Sequence, residues 1–526
     1  MPIAPALPEI VQLTEGLDGG TWPTYEPTVV AVPVAPAPPG EEEVQPRGGV
    51  ADVAALYGID LLHEAERQDV TGAAGQAATV YLPRVLPGVA AVPWAELPPT
   101  VVLLGVGDGG AAALRKAGLA LGRAAAGGAT AVTTVGAGLA PEPLRAFVEG
   151  FLLAAYRMPR TGRSASPGKL PAERLVLLGT GGPATEAAVT AARAGVRATL
   201  LARVLGATPS NTKNPAWMAE QATELVTAAP RSEGQLDVAV HDESWLRRHD
   251  MGGILAVGSG SATPPRLVTV SWTPARTTAA TRTVVLVGKG ITFDTGGISL
   301  KPREAMVSMK TDMAGSAAVL AAVLAAAELG LPHRVTAVLA LAENAMGGAS
   351  YRPGDVVRIT DGTTVEVSNT DAEGRMVLAD GLAWAANSLT PDVLIDVATL
   401  TGAAKQGLGL RHAALYATDD ALAARLLAAA DAADEPAWRM PLMEDYQPTL
   451  DSDVADIAHA ATDPHVKAGS VTAALFLRHF AGQVPWAHLD IAGPGRTGSK
   501  QGELPAQAAT GYGARLLVRY LEALGS

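Results

Sequence analysis

The sequence predicts an α/β protein in which a mixed, mostly parallel sheet forms the core of a large second domain. Short apolar runs alternate with alanine-rich stretches along most of the chain. This order is typical of parallel strands that are connected by covering helices. The length of 526 residues exceeds the usual size of a single core, so at least two domains are expected.

Strand-like segments among the first two hundred residues each precede a helix-like segment. The strands are TVVLLGVG (residues 100–107), ATAVTTVG (129–136) and RLVLLGTG (174–181). Helices between them would cover a parallel sheet, so we predict a small α/β domain. Residues 20–48 are dense in proline, and we expect a loop or a poorly ordered arm there.

The composition changes shortly after residue 204. The segment ATPSNTKNPAWMAEQ (207–221) contains prolines and asparagines that the alanine-rich sequence before it lacks. Such a change is typical of a boundary between structural units. We therefore predict an N-terminal domain of residues 1–204 and a C-terminal domain of residues 205–526.

The second half repeats the alternation of strands and helices more strongly. The predicted strands are TVVLVG (283–288), VTAVLALAEN (335–344), TTVEVS (363–368), VLIDVATL (393–400) and WAHLDIAG (486–493). The predicted helices are residues 314–330, closed by Gly330, residues 377–389 and a terminal helix in ARLLVRYLEAL. We found no internal repeat.

The composition disfavours several classes of protein. The net charge of −12 argues against a general binder of nucleic acid or anionic membranes. The chain has no cysteine, which excludes disulfides, thiolate nucleophiles and iron–sulfur clusters. The first residues lack the features of a signal peptide, and charges or glycines interrupt each apolar stretch. We therefore expect a cytoplasmic protein.

Two glycine-rich segments match dinucleotide-binding patterns only loosely. GVGDGG (105–110) and GTGGPA (179–184) each follow a predicted strand. A dinucleotide fold would need an acidic residue about 20 residues further on, and neither segment has one. We predict that both are turns.

Charged residues concentrate in three segments of the second half. They are Lys289, Asp294 and Lys301 in VLVGKGITFDTGGISLKP (285–302), Asp312 in KTDMAG, and Asp371, Glu373 and Arg375 in NTDAEGR (369–375). For Asp312 the alternative interpretation is an acid that caps a helix. For Lys289 and Lys301 it is a pair of solvated side chains. Their positions favour a functional site instead. Lys289 and Asp371 each follow a predicted strand, and functional sites of open α/β sheets lie at the carboxyl ends of the strands. We assume here that the two strands belong to one sheet.

The heptapeptide NTDAEGR places two acids and a base at alternate positions. If the segment is extended, Asp371, Glu373 and Arg375 point to one side. A surface turn with solvated charges is the alternative interpretation of such a short acidic stretch. Crowded carboxylates repel each other unless protons or cations lie between them.

The predicted convergence of Asp294, Asp312, Asp371 and Glu373 implies bound cations. Four carboxylates in one cleft are untenable without them. Two divalent metals about 3.5–4 Å apart would relieve the repulsion and create a hydrolytic site. Because the chain lacks cysteine and any HExxH or HxH string, we expect oxygen ligands, which suit Mn²⁺, Mg²⁺ or Zn²⁺.

Together these segments resemble the dinuclear leucyl aminopeptidases of the cytosol aminopeptidase family, in which NTDAEGR is the signature. The resemblance extends to VGKGITFDTGGISLKP, MKTDMAG, YRPGDV, VATLTGA, SDVADI and WAHLDIAG, and covers roughly residues 205–520. The first two hundred residues are less similar. The resemblance implies that they form a smaller N-terminal α/β domain with a macro-like fold.

The resemblance also implies a role for each charged residue. The implied metal ligands are Lys289, Asp294, Asp312, Asp371 and Glu373, with Asp294 and Glu373 bridging two ions. Lys301 and Arg375 would be the catalytic pair, in which Lys301 stabilises the oxyanion and Arg375 holds a bicarbonate that acts as base. Lysine can bind a metal only as a neutral amine, so burial and two nearby dications must lower the pKa of Lys289.

The substrate pocket is less visible in the sequence. By resemblance, Met309 lines the pocket for the first side chain, and Thr399, Leu400 and Gly402 contact the substrate backbone. Methionine suits an adaptable apolar pocket for leucine or methionine, although ordinary core packing is an alternative for Met309. We expect structural or surface roles for all nine histidines.

The implied function is a metal-dependent leucyl aminopeptidase that removes the N-terminal residue of peptides and assembles as a homohexamer. A water or hydroxide bridging the two metals would attack the peptide, and the free α-amine would bind a metal. A dipeptidase of the Cys-Gly type would share every catalytic residue. A DNA-binding regulatory role is disfavoured by the acidic net charge, and a two-metal phosphoesterase would leave the amine contact unused.

Overall fold

The computed structural model describes residues 6–41, 43–83, 92–158, 169–463, 465–502 and 504–525. Pro5–Val196 form one compact unit, and Arg197–Ser526 belong to a second. The division between the units falls within a long helix, Pro183–Ala207. That helix also contains the predicted domain boundary after residue 204.

The first unit is built on a seven-stranded sheet. Its strands are β1 (Glu9–Leu13), β2 (Val29–Ala35), β3 (Gln45–Pro46), β4 (Ala77–Tyr81), β5 (Thr100–Gly105), β6 (Thr130–Thr133) and β7 (Arg174–Leu178). Their order is β1-β7-β6-β2-β5-β4, with β3 paired to β2, and all pairs are parallel except those of β3 and β4. The helices are α1 (Val50–Tyr57), α2 (Leu61–Arg67), α3 (Ala111–Ala124), α4 (Pro141–Leu153) and α5 (Pro183–Ala207), which continues into the second unit.

The proline-dense segment contains a central strand of this sheet. Every residue of β2 is buried, and the strand lies between β5 and β6. The prediction of a loop or arm for residues 20–48 is therefore wrong here. Pro33 is tolerated because the pairing of β2 with β6 ends at Ala31, so its missing N–H breaks no bond to that strand. Its carbonyl accepts a hydrogen bond from the Arg47 N–H at 3.1 Å.

The two glycine-rich segments of this unit connect strands to helices. GVGDGG leads from β5 to α3, and GTGGPA leads from β7 to α5. Their backbones have positive φ at Gly107, Gly109, Gly179 and Gly182, a conformation that glycine adopts without steric cost. They are turns, as predicted.

Helices α3 and α4 approach each other at a distance that only glycine permits. A Cβ added at Gly118 would lie 1.9 Å from the Phe147 carbonyl oxygen. A Cβ added at Gly150 would lie 1.9 Å from the Arg115 carbonyl oxygen. The two glycines therefore determine how closely these helices pack.

The second unit contains two sheets. Its strands are β8 (Gly234–His241), β9 (Arg266–Pro274), β10 (Thr283–Asp294), β11 (Arg334–Asn344), β12 (Val356–Arg358), β13 (Thr364–Glu366), β14 (Val393–Ala398), β15 (Ala413–Ala417), β16 (Ala437–Arg439), β17 (Ile457–Ala458) and β18 (Trp486–Asp490). The large sheet has eight strands in the order β16-β15-β18-β14-β10-β11-β9-β8. Strands β18, β14, β10 and β11 are mutually parallel, while β9 and β15 are antiparallel to their inner neighbours. This confirms the predicted mixed, mostly parallel sheet.

A smaller sheet of three strands, in the order β12-β13-β17, lies apart from the large one. The predicted strand TTVEVS corresponds to β13. Our assumption that the strands before Lys289 and Asp371 share one sheet is therefore wrong. Strand β13 is only three residues long and pairs antiparallel with β12, so it does not extend the parallel centre.

Helices cover the sheets of the second unit. They are α6 (Pro215–Ala228), α7 (Glu243–Arg248), α8 (Gly252–Gly258), α9 (Arg303–Met306), α10 (Ala314–Leu329), α11 (Glu373–Ser388), α12 (Gly402–Leu408), α13 (Asp420–Ala433), α14 (Gly469–Ala481) and α15 (Ala514–Ala523). Among the described residues, one segment, Arg303–Leu329, is long and apolar enough to cross a membrane, but 83% of its apolar window is buried inside the protein. It is therefore a core segment. Its helix α10 ends at Gly330 (φ 62°), as predicted.

Replacing Gly118 by alanine should destabilise the first unit. The added methyl group would collide with the backbone of α4, and such overpacking costs about 1–3 kcal/mol. Urea denaturation followed by circular dichroism measures the change. Gly48→Ala is the matched control, because no atom lies within 4 Å of its added Cβ. Equal effects of the two substitutions would contradict the tight helix contact.

Candidate active site

A cleft of about 680 Å³ in the second unit contains every site residue that the sequence predicts. The predicted residues that line it are Lys289, Asp294, Lys301, Met309, Asp312, Asp371, Glu373, Arg375, Thr399, Leu400 and Gly402. A second cavity of about 550 Å³, beside Arg478, contains none of them. The structure thus brings these residues together, while the role of each one stays a prediction.

Two parallel strands form the floor of the cleft. Lys289 lies within β10, and Asp294 ends it. The two residues are an odd number of positions apart and would face opposite sides of a regular strand, but the register shifts between Ile291 and Asp294. Strand β14 runs parallel to β10 and ends directly before Thr399. The carboxyl ends of the two strands therefore meet at the cleft.

NTDAEGR is not extended. Asp371 lies in a turn, and α11 begins at Glu373, so that Glu373 and Arg375 belong to the first turn of a helix. The predicted extended conformation is wrong, since β13 ends at Glu366 and these residues have no strand partner. An acid in the first turn of a helix interacts favourably with the helix dipole. Glu373 was therefore a signal in the sequence that a helix begins here.

Gly374 permits the close approach of α11 to Lys289. A Cβ at this position would lie 2.7 Å from Lys289 Nζ. Any side chain at this position would therefore displace either the end of the Lys289 side chain or the helix that carries Glu373. The glycine of the heptapeptide is required by packing rather than by a positive φ.

Two lysines pair with the four carboxylates. Lys289 Nζ lies 2.8 Å from both Asp312 Oδ2 and Glu373 Oε1, and it donates to the Thr399 carbonyl at 3.0 Å. Lys301 Nζ lies 2.8 Å from Asp294 Oδ2 and also pairs with Asp371. Lys289, Asp294, Asp312 and Glu373 are buried, so their charges interact in a medium of low dielectric constant.

Burial and neighbouring charges shift the pKa values of this cluster. Burial, together with Asp294, raises the pKa of Glu373 to about 8, although Lys289 opposes the shift. Burial also raises the pKa of Asp294, with Asp312 adding to it and Lys301 opposing it. Burial alone would lower the pKa of Lys289, but Asp312 and Glu373 outweigh it and raise that pKa. The lowered lysine pKa that metal ligation requires would therefore have to come from the dications.

The donor atoms of the cleft fit divalent cations. One oxygen from each of Asp294, Asp371 and Glu373 lies within 4.8 Å of the others. Glu373 Oε2 is buried and has no hydrogen-bond partner in the described part of the chain. Clustered carboxylate oxygens, one of them without a partner, are suited to hard or borderline divalent ions.

Asn344 supports the carboxylate of Asp294, and sequence reasoning missed it. The residue ends β11, where it pairs in register with Asp294 of β10. Its buried Nδ2 donates to Asp294 Oδ1 at 2.8 Å and to the Thr370 carbonyl at 3.0 Å. It thereby ties the end of β10 to the turn that carries Asp371. The signal was available, because Asn344 closes a predicted buried strand beside those that we used.

Arg375 retains its charge inside the protein. Burial lowers the pKa of Arg375 to about 10, and Glu373 and Asp490 oppose the shift. Its Nη1 donates to the His459 carbonyl at 2.6 Å. Its buried Nε has no hydrogen-bond partner among the residues that the structure describes. The guanidinium is therefore an oriented cation with donors available for a planar anion.

His459 has a structural role beside NTDAEGR, a position that the sequence did not indicate. Its Nε2 lies 2.9 Å from the Asn369 carbonyl, and its Nδ1 accepts from the Ser368 N–H at 3.3 Å. One neutral tautomer, with the proton on Nε2, satisfies these two contacts, while Nδ1 also lies 3.1 Å from the Glu366 carbonyl oxygen. The histidine thus fixes the approach to Asp371, while its carbonyl orients Arg375.

The residues that are predicted to contact the substrate are also fixed by contacts within the protein. Met309 is buried in the short 3₁₀ turn before Asp312. The Thr399 hydroxyl donates to Asp312 Oδ1 at 2.7 Å, so this side chain is engaged by the carboxylate cluster. The Leu400 N–H donates to Asp490 Oδ1 at 3.1 Å, which fixes the loop before α12. Contacts of this loop with a substrate backbone stay a prediction.

Comparisons of sequence identify relatives that cover most of this chain. A sequence model of the catalytic domain of the cytosol aminopeptidase family matches residues 200–518. A probable cytosol aminopeptidase of Streptomyces avermitilis is 42% identical over 511 residues, which cover 94% of this chain and 95% of that protein. A probable cytosol aminopeptidase of Roseiflexus castenholzii is 44% identical over 385 residues, which cover 72% of this chain and 77% of that protein.

Solved structures share the fold. A mutant of tomato leucine aminopeptidase has a TM-score of 0.82 and 28% sequence identity, with 99% of this chain and 97% of that chain covered. The bottromycin maturation enzyme BotP, in complex with Mn, has a TM-score of 0.77 and 37% identity, with 95% of this chain and 100% of that chain covered. The mixed α/β fold inferred from the sequence is thus confirmed.

Replacing Asn344 by alanine should weaken the binding of divalent metal. Asp294 would lose a hydrogen bond that orients it, and loss of such a supporting contact typically reduces metal affinity about 10- to 100-fold. Isothermal titration calorimetry with Mn²⁺ measures the affinity. Asn387→Ala, an exposed substitution on α11, is the control. If both variants bind Mn²⁺ like the wild type, Asn344 has no part in metal binding.

Replacing His459 by glutamine should remove a pH-dependent part of the stability. Burial, together with Arg375, lowers the pKa of His459 to about 4. Because the folded-state pKa lies below the ordinary value of about 6.5, this stability is complete above about pH 6.5 and is lost as the pH falls towards 4. Between about pH 7 and pH 5 the free energy of unfolding of the wild type should fall by roughly 2 kcal/mol more than that of the variant. Urea denaturation at both pH values tests this, and parallel pH dependences would contradict it.

Proposed function

Because the chain belongs to the cytosol aminopeptidase family, and is thus a hydrolase that acts as an aminopeptidase, we propose that it is a leucyl aminopeptidase with two divalent metal ions. The observation that supports the metal centre most strongly is the cluster of Asp294, Asp371 and Glu373, in which one oxygen of each carboxylate lies within 4.8 Å of the others. Glu373 is also paired with the buried Lys289. Mn²⁺ and Zn²⁺ are the ions that we favour.

The proposed ligands are Lys289, Asp294, Asp312, Asp371 and Glu373. Asp294 and Glu373 would lie between the two ions. When bound, the ions would polarise the scissile carbonyl, activate a water that bridges them and anchor the free α-amine of the substrate. The requirement for a free amine would make the enzyme an exopeptidase.

Lys301 would stabilise the negative charge that develops on the substrate carbonyl oxygen. Its side chain is 13% exposed and lines the cleft, so it is accessible to a bound peptide. Burial would lower the pKa of Lys301, but Asp294 and Glu373 outweigh it and raise that pKa, so the amine stays protonated. A fixed cation in a partly desolvated site is effective at stabilising an oxyanion.

Arg375 would hold a bicarbonate ion, which would supply the general base. Every carboxylate of the cluster is engaged by a lysine and assigned to metal, so none is free to accept a proton. The guanidinium is anchored through the His459 carbonyl and has an unpartnered Nε, within the residues described. Its planar fork matches a planar oxyanion.

The remaining parts of the proposal concern the surroundings of the reaction. Met309, Leu400 and Gly402 line the cleft and would receive the first side chain and the peptide backbone. An adaptable methionine beside a leucine suits an apolar residue such as leucine. By kinship, we propose that the enzyme assembles as a homohexamer and acts in the cytoplasm.

Metal removal should abolish hydrolysis of leucine p-nitroanilide. Chelator-treated protein should be inactive, and addition of Mn²⁺ or Zn²⁺ should restore release of p-nitroaniline, since the ions activate the water and bind the amine. Acetyl-leucine p-nitroanilide is the matched control, because its blocked amine cannot bind a metal. Equal hydrolysis of the blocked and free substrates, or activity that survives chelation, would contradict the proposal.

A further inference from the structure

Arg496 places a guanidinium in the wall of the catalytic cleft, and no role described above uses it. The residue lies in the loop that follows β18. The Gly495 N–H donates to the Ile491 carbonyl at 2.8 Å, and Arg496 pairs with Ala509 in an isolated antiparallel bridge. The backbone is therefore fixed on both sides, and the cation is preorganised.

The side chain of Arg496 uses little of its capacity for hydrogen bonds. Nη1 donates to Ser308 Oγ at 2.7 Å, and Nη2 lies 3.9 Å from Asp312 Oδ1, beyond hydrogen-bond distance. The buried Nε has no hydrogen-bond partner within the described part of the chain. A guanidinium has five N–H donors, so several stay available at a side chain that is 15% exposed and lines the cleft.

Asp312 forms an ion pair with this cation but accepts no hydrogen bond from it. Its Oδ1 accepts a hydrogen bond from Thr399 Oγ1 at 2.7 Å. Its Oδ2 lies 2.8 Å from Lys289 Nζ. Because both oxygens have closer partners, Asp312 does not use the N–H donors of Arg496, which stay available for another anion. The planar fork of arginine is best matched by a carboxylate, which can accept two parallel hydrogen bonds.

The position of Arg496 indicates that this anion is part of the substrate. Arg496 contacts Ser308, the neighbour of Met309, and all three line the same cleft. We propose that Arg496 is a specificity residue that binds a substrate carboxylate. This carboxylate is either the acidic side chain of the N-terminal residue or the C-terminal carboxylate of a dipeptide. The inference rests on the proposed aminopeptidase function and adds to it a preference for substrates that place a carboxylate beside Arg496.

Matched substrate pairs test the proposal. Glutamate and glutamine p-nitroanilides differ only in the charge of the first side chain, and Leu-Gly and Leu-Gly amide differ only at the C-terminus. The ratio of kcat/KM within each pair is compared between the wild type and Arg496→Met, so a general loss of activity cancels. In at least one pair, the wild type should favour the carboxylate, and the variant should reduce that ratio by about tenfold or more.

Two further variants define the cause of the change. Lys405→Met removes another cation that lines the cleft and should leave both ratios unchanged. Arg496→Lys keeps the charge but loses the planar fork, and it should give an intermediate ratio. It also replaces Arg496→Met if that variant does not fold. Ratios that Arg496→Met leaves unchanged in both pairs, or a wild type without preference in either pair, would overturn the proposal.

A binding measurement separates this inference from the proposed function. Calorimetry compares the affinity of Mn²⁺-loaded protein for the product amino acids glutamate and glutamine and for the dipeptide pair. If the protein hydrolyses nothing but Arg496→Met weakens binding of the carboxylate member by about tenfold, the proposed activity fails and the inference stands. If leucine p-nitroanilide is hydrolysed but neither binding nor the ratios depend on Arg496, the inference fails alone.

Discussion

The crowding of buried carboxylates around Lys289 is the constraint on which the rest of the site depends. Lys289 can lie between Asp312 and Glu373 only because the surrounding backbones come unusually close. A Cβ at Gly315 would lie 1.9 Å from the Val397 carbonyl oxygen, and a Cβ at Gly374 would lie 2.7 Å from Lys289 Nζ. Strands β10 and β14 and helices α10 and α11 thus converge on one lysine. In this desolvated environment like charges repel strongly, and only protons or additional cations relieve the repulsion.

A layer of neutral groups holds the charged side chains in place. Asn344 orients Asp294, the Thr399 hydroxyl orients Asp312, and the His459 carbonyl orients Arg375. These contacts come from segments far apart in the chain, so the geometry depends on the complete fold of the second unit. Side chains fixed in this way need little rearrangement when charge develops during a reaction, which is the condition for electrostatic catalysis.

The strands that carry the site were predicted from the sequence, but the conformations of some other segments were not. The apolar runs of β10, β11 and β14 and the Gly330 helix stop are local signals, and they were interpreted correctly. Strand β2 was missed because residues 20–48 are rich in proline. Pro33 is tolerated in this strand because of where the pairing with a neighbouring strand ends, and the segment's own sequence does not show that. NTDAEGR was assigned the wrong conformation, although its residues reach the predicted cleft.

The residues that the sequence did not reveal act through partners distant in the chain. Asn344 and Arg496 belong to no charge-rich segment, and their meaning depends on contacts with Asp294 and Ser308. His459 likewise acts through backbone groups of residues 366–369. A periodicity or a motif describes one segment at a time, whereas these contacts are set by strand register and loop packing.

Anomalous diffraction from crystals soaked in Mn²⁺ tests the central claim most directly. The account predicts two peaks in the cleft, about 3.5–4 Å apart, with Asp294 and Glu373 between them. Both peaks should disappear in crystals of Glu373→Gln that are soaked in the same way. A single peak, or peaks away from Lys289 and Glu373 in well-ordered crystals, would contradict a two-metal centre built on the buried carboxylates.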